Sequence, residues 1–216
     1  MTKFEKYHPI LTDHYTLDWL TNAPLKNSHA LLQQLPQLAA QTSDYAHTAQ
    51  FIQGQMLAIM KNQRLLWGIT QRSTGALVGV ARILPCQLST ATSQTATQAA
   101  TSAAPVAAAA LAIPATPAAP TASPRDPEKT AALSPELGAS LAVWPSPALV
   151  SAQQSALFLE ITRHLTAFIF VELGGELIEM AASGLTAAQQ TSLRTLGYQL
   201  TPSGNWQIQR QVNWRA

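Results

Sequence analysis

From Gln154 to Tyr198 the chain reads QSALFLEITRHLTAFIFVELGGELIEMAASGLTAAQQTSLRTLGY, and this stretch decides the fold. Leu157, Ile161, Leu165 and Phe168 recur at helical spacing, which predicts a long helix with one apolar face. Gly174-Gly175 ends it, since glycine closes a helix in the left-handed conformation without strain. Leu177-Ile178-Glu179-Met180-Ala181 is an apolar run of strand length. Thr186-x-x-Gln189 reads as a capping box that opens a second helix, which closes at Leu196-Gly197-Tyr198. Two strands, at 198–201 and 206–212, follow around the turn Pro202-Ser203-Gly204.

The earlier part of the chain extends this alternation. Pro9-Ile10-Leu11 reads as the end of a strand, and Thr12 or Asp13 as the cap of a helix running to about Leu20. Residues 23–41 are helical in composition and broken at Pro24 and Pro36. Thr42-Ser43-Asp44 caps a helix that carries Ala49, Ile52, Met56, Ile59 and Met60 on one face. Two strand-like runs, 65–71 and 76–84, are joined by the hairpin signal Arg72-Ser73-Thr74-Gly75. A further strand is expected at 137–143, then a proline-containing loop at 144–150 and the long helix at about 152–171. The expectation is a single α/β domain with a mixed central sheet flanked by helices.

Residues 88–135 break the pattern. They are nearly all Ala, Thr, Ser, Pro and Gln, without a charge before Arg125. Such a composition offers little large apolar surface to offset the entropy of ordering the chain. Pro105, Pro114, Pro117, Pro120 and Pro124 preclude a long helix. The segment is expected to be a disordered, flexible insert, leaving 1–87 and 136–216 to form the domain.

Composition excludes several function classes. The formal net charge is +2, and the 13 Lys and Arg are scattered without a basic run, which argues against nucleic acid as a partner. Cys86 is the single cysteine, so no internal disulfide forms, and a reducing, cytoplasmic setting is expected. The first residues lack the apolar segment of a signal peptide. The most apolar stretch, 157–171, is interrupted by Glu160, Arg163 and His164, so no membrane partner is expected. His8, His14, His29 and His47 have no metal-ligand spacing.

The order and spacing of these elements resemble the GNAT superfamily of acetyl-CoA-dependent N-acetyltransferases. Trp67-Gly68-Ile69, Gly75-Ala76-Leu77-Val78-Gly79 and the final Leu196-Gly197-Tyr198 resemble in particular the branch that acetylates ribosomal-protein N-termini. The resemblance implies acetyl-CoA as acyl donor, a primary amine as acceptor (a protein N-terminus or a small amine), and a monomer or homodimer. It places the insert between the third and fourth core strands. The fourth core strand would pair with the pantetheine arm, through the backbone of Leu141, Ala142 and Val143. The pyrophosphate would meet the amides that open the long helix, around Gln153, Gln154, Ser155 and Ala156, where a helix N-terminus favours an anion.

Several matching positions depart from the family pattern. Ser151 and Gln154 stand where the family carries Gln or Arg and Gly, and Ser151-x-x-Gln154 also reads as a capping box. Ser146-Pro147 offers a competing helix start. Thr186 and Gln189 replace the family's Asn and Ser. Glu136, opening the fourth core strand, is the candidate general base, and Ser192 the hydroxyl nearest a thioester. Glu160 is expected to pair with Arg163 and His164 along its own helix, and Tyr198 to be a packing aromatic. A non-catalytic scaffold that has lost the cofactor is the rival expectation.

Deleting 88–134 and closing the gap with a short Gly/Ser loop should leave stability almost unchanged, because closure entropy varies by only about 0.6 kcal/mol per doubling of loop length. Thermal melting checks this, and a large fall in Tm would mean that the segment packs on the domain.

Overall fold

The computed structural model describes residues 4–87 and 137–210. The whole of the anticipated insert, 88–135, and Glu136 lie outside the described residues. In chain order the elements are β1 (Ile10–Leu11), β2 (Tyr15–Asp18), a 3-10 turn (Leu20–Asn22), α1 (Leu25–Gln34), α2 (Pro36–Ala39), α3 (Tyr45–Met60), β3 (Leu65–Gln71) and β4 (Leu77–Gln87). After 88–136 come β5 (Leu137–Pro145), α4 (Ser151–Val171), β6 (Leu177–Ala181), α5 (Ala187–Thr195), β7 (Gln199–Leu200) and β8 (Asn205–Gln209).

These strands form one sheet in the order β1-β2-β3-β4-β5-β6-β8-β7. Every neighbouring pair is antiparallel except β5 and β6. A parallel pair needs a crossover, and α4 supplies it. The anticipated mixed α/β architecture is therefore present. Backbone pairing between β4 and β5 is unbroken from Gly79 opposite Pro145 to Gln87 opposite Leu137. At Gly79 a Cβ would lie 2.9 Å from the carbonyl oxygen of Trp144, so the two strands approach there only because the residue is glycine.

The sheet buries side chains on both faces. On one, α4 contributes Leu157, Ile161, Leu165, Phe168 and Ile169 against Ile83, Leu141, Val143, Ile178 and Met180. The apolar face read from the sequence is the buried one. On the other, Leu31, Leu32 and Ile52 cover Leu66 and Val80. Aromatic rings tie β2 and β3 to α4. Trp67 stacks on Trp19 with centroids 5.7 Å apart and meets Phe168 edge-on at 6.0 Å, while Tyr7 meets Phe168 edge-on at 4.9 Å. The Trp67 indole N–H is satisfied by the Tyr7 carbonyl oxygen at 2.9 Å, as a buried donor requires.

Two expectations are overturned in the N-terminal half. Residues 12–20 hold strand β2, not a helix. Tyr15, Leu17 and Trp19 alternate with Thr16 and Asp18, a two-residue period, and the odd positions are buried against the core. Pairing with β3 (Leu17 opposite Ile69) fixes that register.

The second correction concerns Glu160. Its carboxylate accepts bonds from the Thr12 hydroxyl (2.6 Å), the His14 backbone N–H (2.9 Å) and the His14 ring Nδ1 (2.8 Å). It therefore clamps the β1–β2 turn onto α4 instead of pairing with Arg163 and His164. Two other anticipated caps form: Asp44 accepts from the His47 N–H at 2.8 Å, and the reciprocal Thr186–Gln189 box is present.

Partial burial opposes the charge on Glu160, but the hydrogen bonds from Thr12 and His14 outweigh it and hold its pKa below the ordinary 4.5. A carboxyl lowered in the folded state contributes stability at pH values above its unfolded pKa, and loses it as pH falls through the folded pKa. Glu160→Gln should therefore lower Tm at neutral pH, and the gap to the parent should close as pH drops below 4.5; melting curves at several pH values check this. Phe168→Ala should cost about 3–5 kcal/mol, measured by chemical denaturation, because it removes a ring that contacts both Tyr7 and Trp67.

Candidate functional site

Strands β5 and β6 pair only at Ala139 with Ile178 and Ser140 with Glu179, and then part. From Leu141 to Pro145 the β4-facing edge of β5 remains paired. Over these residues the opposite edge has no strand paired to it among the described residues. A cleft of about 430 Å³ occupies the opening. Leu141, Ala142 and Val143 line it, with Trp144 and Pro145 beyond them, so three of the residues singled out for the pantetheine arm stand together at its edge. Met180, Ala181 and Ser183 to Thr186 line it from the β6 side, and the corner between α1 and α2, Gln34 to Gln37, also contributes.

The turn from β5 into α4 lies beside this cleft, with Pro147 and Gln154 in its lining. The competing helix start at Ser146 is not used. Ser146 makes a local turn, its Oγ accepting from the Ala148 N–H (3.2 Å) and donating to Gln34 Oε1 (3.0 Å). The N-cap of α4 is Val150, and no side chain caps it. The Ser151–Gln154 capping box is thus absent: Ser151 is already helical, and its carbonyl accepts from the Ser155 hydroxyl at 2.9 Å. Gln154 instead folds its side chain back. Its Nε2 donates to the Leu149 carbonyl at 2.7 Å and reaches that of Pro147 at 3.4 Å. The N–H groups of Ser151, Ala152 and Gln153 are the unsatisfied donors of a helix's first turn.

Other residues singled out from the sequence are dispersed. Gln153 and Ser155 sit on the first turn of α4, outside the cleft lining, and Ala156 lies on the outer face of that helix beside Leu159 and Arg163. Thr186 lines the cleft, but its hydroxyl is engaged by the Gln189 N–H at 3.3 Å. Ser192 does not line it, and its Oγ donates to the Ala188 carbonyl at 3.1 Å. Tyr198 is buried, with its hydroxyl 2.7 Å from Thr166 Oγ1. Burial drives its pKa far above the ordinary tyrosine value despite that bond, so it is a packing group.

One lining residue had no sequence signal. Arg82 on β4 is opposite Ala142 and two rungs from the Val80–Trp144 pair, which puts it on the same face as the Trp144 ring. Its guanidinium carbon lies 4.9 Å from that ring's centroid, within cation–π range. Arg82 is the only ionisable residue lining the cleft among the described residues. No group of three or more potential metal ligands is present among the described residues, and no described helix is long and apolar enough to cross a membrane.

No family model matches the sequence, and no curated protein matches it. Solved structures do match its fold. A protein described as a ribosomal-protein-serine acetyltransferase from Vibrio cholerae superposes with a TM-score of 0.56 at 17% identity, covering 94% of this chain and 97% of its own. A GNAT-family acetyltransferase from Bordetella pertussis gives 0.54 at 10% identity, covering 94% and 99%. A ribosomal L7/L12 alpha-N-protein acetyltransferase, solved in complex with coenzyme A, gives 0.57 at 9% identity, covering 93% and 96%. The chain has the fold of the GNAT acetyltransferases.

Proposed function

We propose that the protein is an N-acyltransferase that takes an acetyl group from acetyl-CoA to a primary amine. The observation that carries this reading is the parting of β5 from β6. It leaves one strand edge free over Leu141 to Pro145, at the mouth of a cleft whose neighbour is the open first turn of α4. An extended amide-bearing arm can add to such an edge as an extra strand would. The free amides of Ser151 to Gln153 and the positive end of the α4 dipole suit a pyrophosphate. The superposed acetyltransferase solved with coenzyme A supports the same assignment.

In this reading a neutral amine nitrogen attacks the thioester carbonyl carbon, the C–N bond forms, and the C–S bond breaks to release the CoA thiolate. The proton lost by the nitrogen needs an acceptor. The cleft lining offers no carboxylate or imidazole among the described residues. Glu136, which immediately precedes β5, is the carboxylate we assign to this step. Ser192 is turned onto its own helix, so the thiolate takes its proton from solvent.

A second reading rests on Gln154. Its side-chain amide folds back to the carbonyls of Leu149 and Pro147, beside the turn where a phosphate would approach. If it blocks that approach, the protein is a binding module on an acyltransferase fold. Gln154→Gly separates the two, at a helix-propensity cost of up to about 1 kcal/mol. Calorimetric titration with acetyl-CoA should give measurable affinity in the parent and tighter binding in the variant. Absence of binding in both at millimolar ligand would leave the binding-module reading standing.

A further inference from the structure

The cleft's one cation has no anion among the described residues. The Arg82 Nε is closed off from solvent and has no hydrogen-bond acceptor, and the ion pairs among the described residues all involve histidines elsewhere. Arg64 precedes β3 on the face that carries Leu66 and Arg82, and its Nε is likewise without an acceptor. The two positive charges are close enough to disfavour each other: burial first, and Arg64 second, pull the Arg82 pKa below the ordinary arginine value. Two half-buried arginines whose Nε donors face no carboxylate among the described residues leave hydrogen-bonding capacity that a ligand oxyanion can complete. The Trp144 ring under the guanidinium holds its plane but supplies no acceptor oxygen.

The location of Arg82 separates it from the expected phosphate site. Phosphate donors belong to the first turn of α4, which packs on the face that carries Leu141 and Val143. Arg82 and Trp144 stand on the opposite face, with Gln34 and Gln37 at the α1–α2 corner among the neighbouring lining residues. A group reaching Arg82 therefore approaches the free edge of β5 from the side opposite α4. Guanidinium pairs with planar oxyanions in a two-pronged fashion, and carboxylate is the form of that chemistry an amine acceptor commonly carries.

We propose that Arg82 is the specificity determinant for the acceptor, and that the acceptor is a primary amine bearing a carboxylate, which the guanidinium binds while the amine lies at the free edge of β5. This rests on the acyltransferase reading. Arg64 adds positive potential without touching the acceptor. The guanidinium fixes which amines are held and leaves the chemistry at the nitrogen unchanged.

The test uses the full chain and matched acceptors that differ only in that charge: β-alanine against β-alaninamide, and alanyl-glutamate amide against alanyl-glutamine amide. Two readouts are taken, kcat/KM from CoA thiol release and calorimetric binding of each acceptor to the CoA-loaded protein. The parent should prefer the carboxylate member of at least one pair by roughly tenfold or more, the scale of one charged hydrogen-bonded contact. Arg82→Gln should abolish the preference without changing acetyl-CoA affinity, and Arg82→Lys should keep part of it. Arg64→Gln, an equal loss of charge, should keep most of it. Thermal melts establish that each variant is folded, and Arg82→Lys carries the test if Arg82→Gln is not. No carboxylate preference in the parent, or a preference that survives Arg82→Gln, overturns the proposal. A loss of acetyl-CoA affinity in Arg82→Gln also overturns it, by assigning the arginine to a cofactor phosphate. Carboxylate binding that depends on Arg82 in a protein that does not bind acetyl-CoA would sustain this assignment and refute the transferase reading alone.

Discussion

The parallel pairing of β5 with β6 is the constraint on which the rest of the molecule depends. Parallel neighbours cannot be joined by a tight turn, so the chain must cross over, and α4 lies on one face as a result. Its side chains from Leu157 to Ile169 fill that face. The same strands share only two rungs, at Ala139 and Ser140. Buried on its α4 side and paired to β4, β5 continues straight while β6 leaves it. A sheet that kept every rung would have no cleft. One that lost the two remaining rungs would lose the link between its halves.

That geometry has an electrostatic corollary. Opening the sheet exposes polar backbone in a place where the surrounding side chains are mostly neutral. Gln34, Gln37, Ser140, Ser183 and Thr186 give the lining hydrogen-bonding capacity without charge. Against such a background a single guanidinium acts over the whole cleft, since no nearby carboxylate among the lining residues screens it. The Trp144 ring restrains its motion.

Much of this was legible in the sequence, where one local signal dominated. The α4 face, the Thr186–Gln189 cap, the β3–β4 hairpin and the proline-bounded α1 and α2 each follow from spacing within a few residues. The misreadings arose where tertiary partners outweighed a local rule. Thr12 and Asp13 look like a helix cap, yet Tyr15, Leu17 and Trp19 are buried as a strand because β3 is there to pair with them. Glu160 has Arg163 and His164 at helical spacing, but the backbone and side-chain donors of the β1–β2 turn satisfy it better. Gln154 was readable as a departure from the family's glycine; that its amide would serve the carbonyls of Leu149 and Pro147 depends on a loop conformation no periodicity encodes. Arg82 left no trace at all, since an isolated arginine in a strand acquires meaning only from the register that sets it beside Trp144.

The long β4–β5 ladder bears on chain connectivity. Its register runs from Gly79 opposite Pro145 to Gln87 opposite Leu137, and is held by backbone bonds and by the cores on both faces. The covalent link between these strands therefore carries little of the information that aligns them. A polypeptide severed between 88 and 136 would yield two pieces with complementary edges, one ending in β4 and the other beginning with β5. Neither piece has a complete core: Ile83 and Trp67 belong to the first, Leu141 and Phe168 to the second. Each is the template on which the other closes its sheet, which makes the domain a natural candidate for reconstitution from halves.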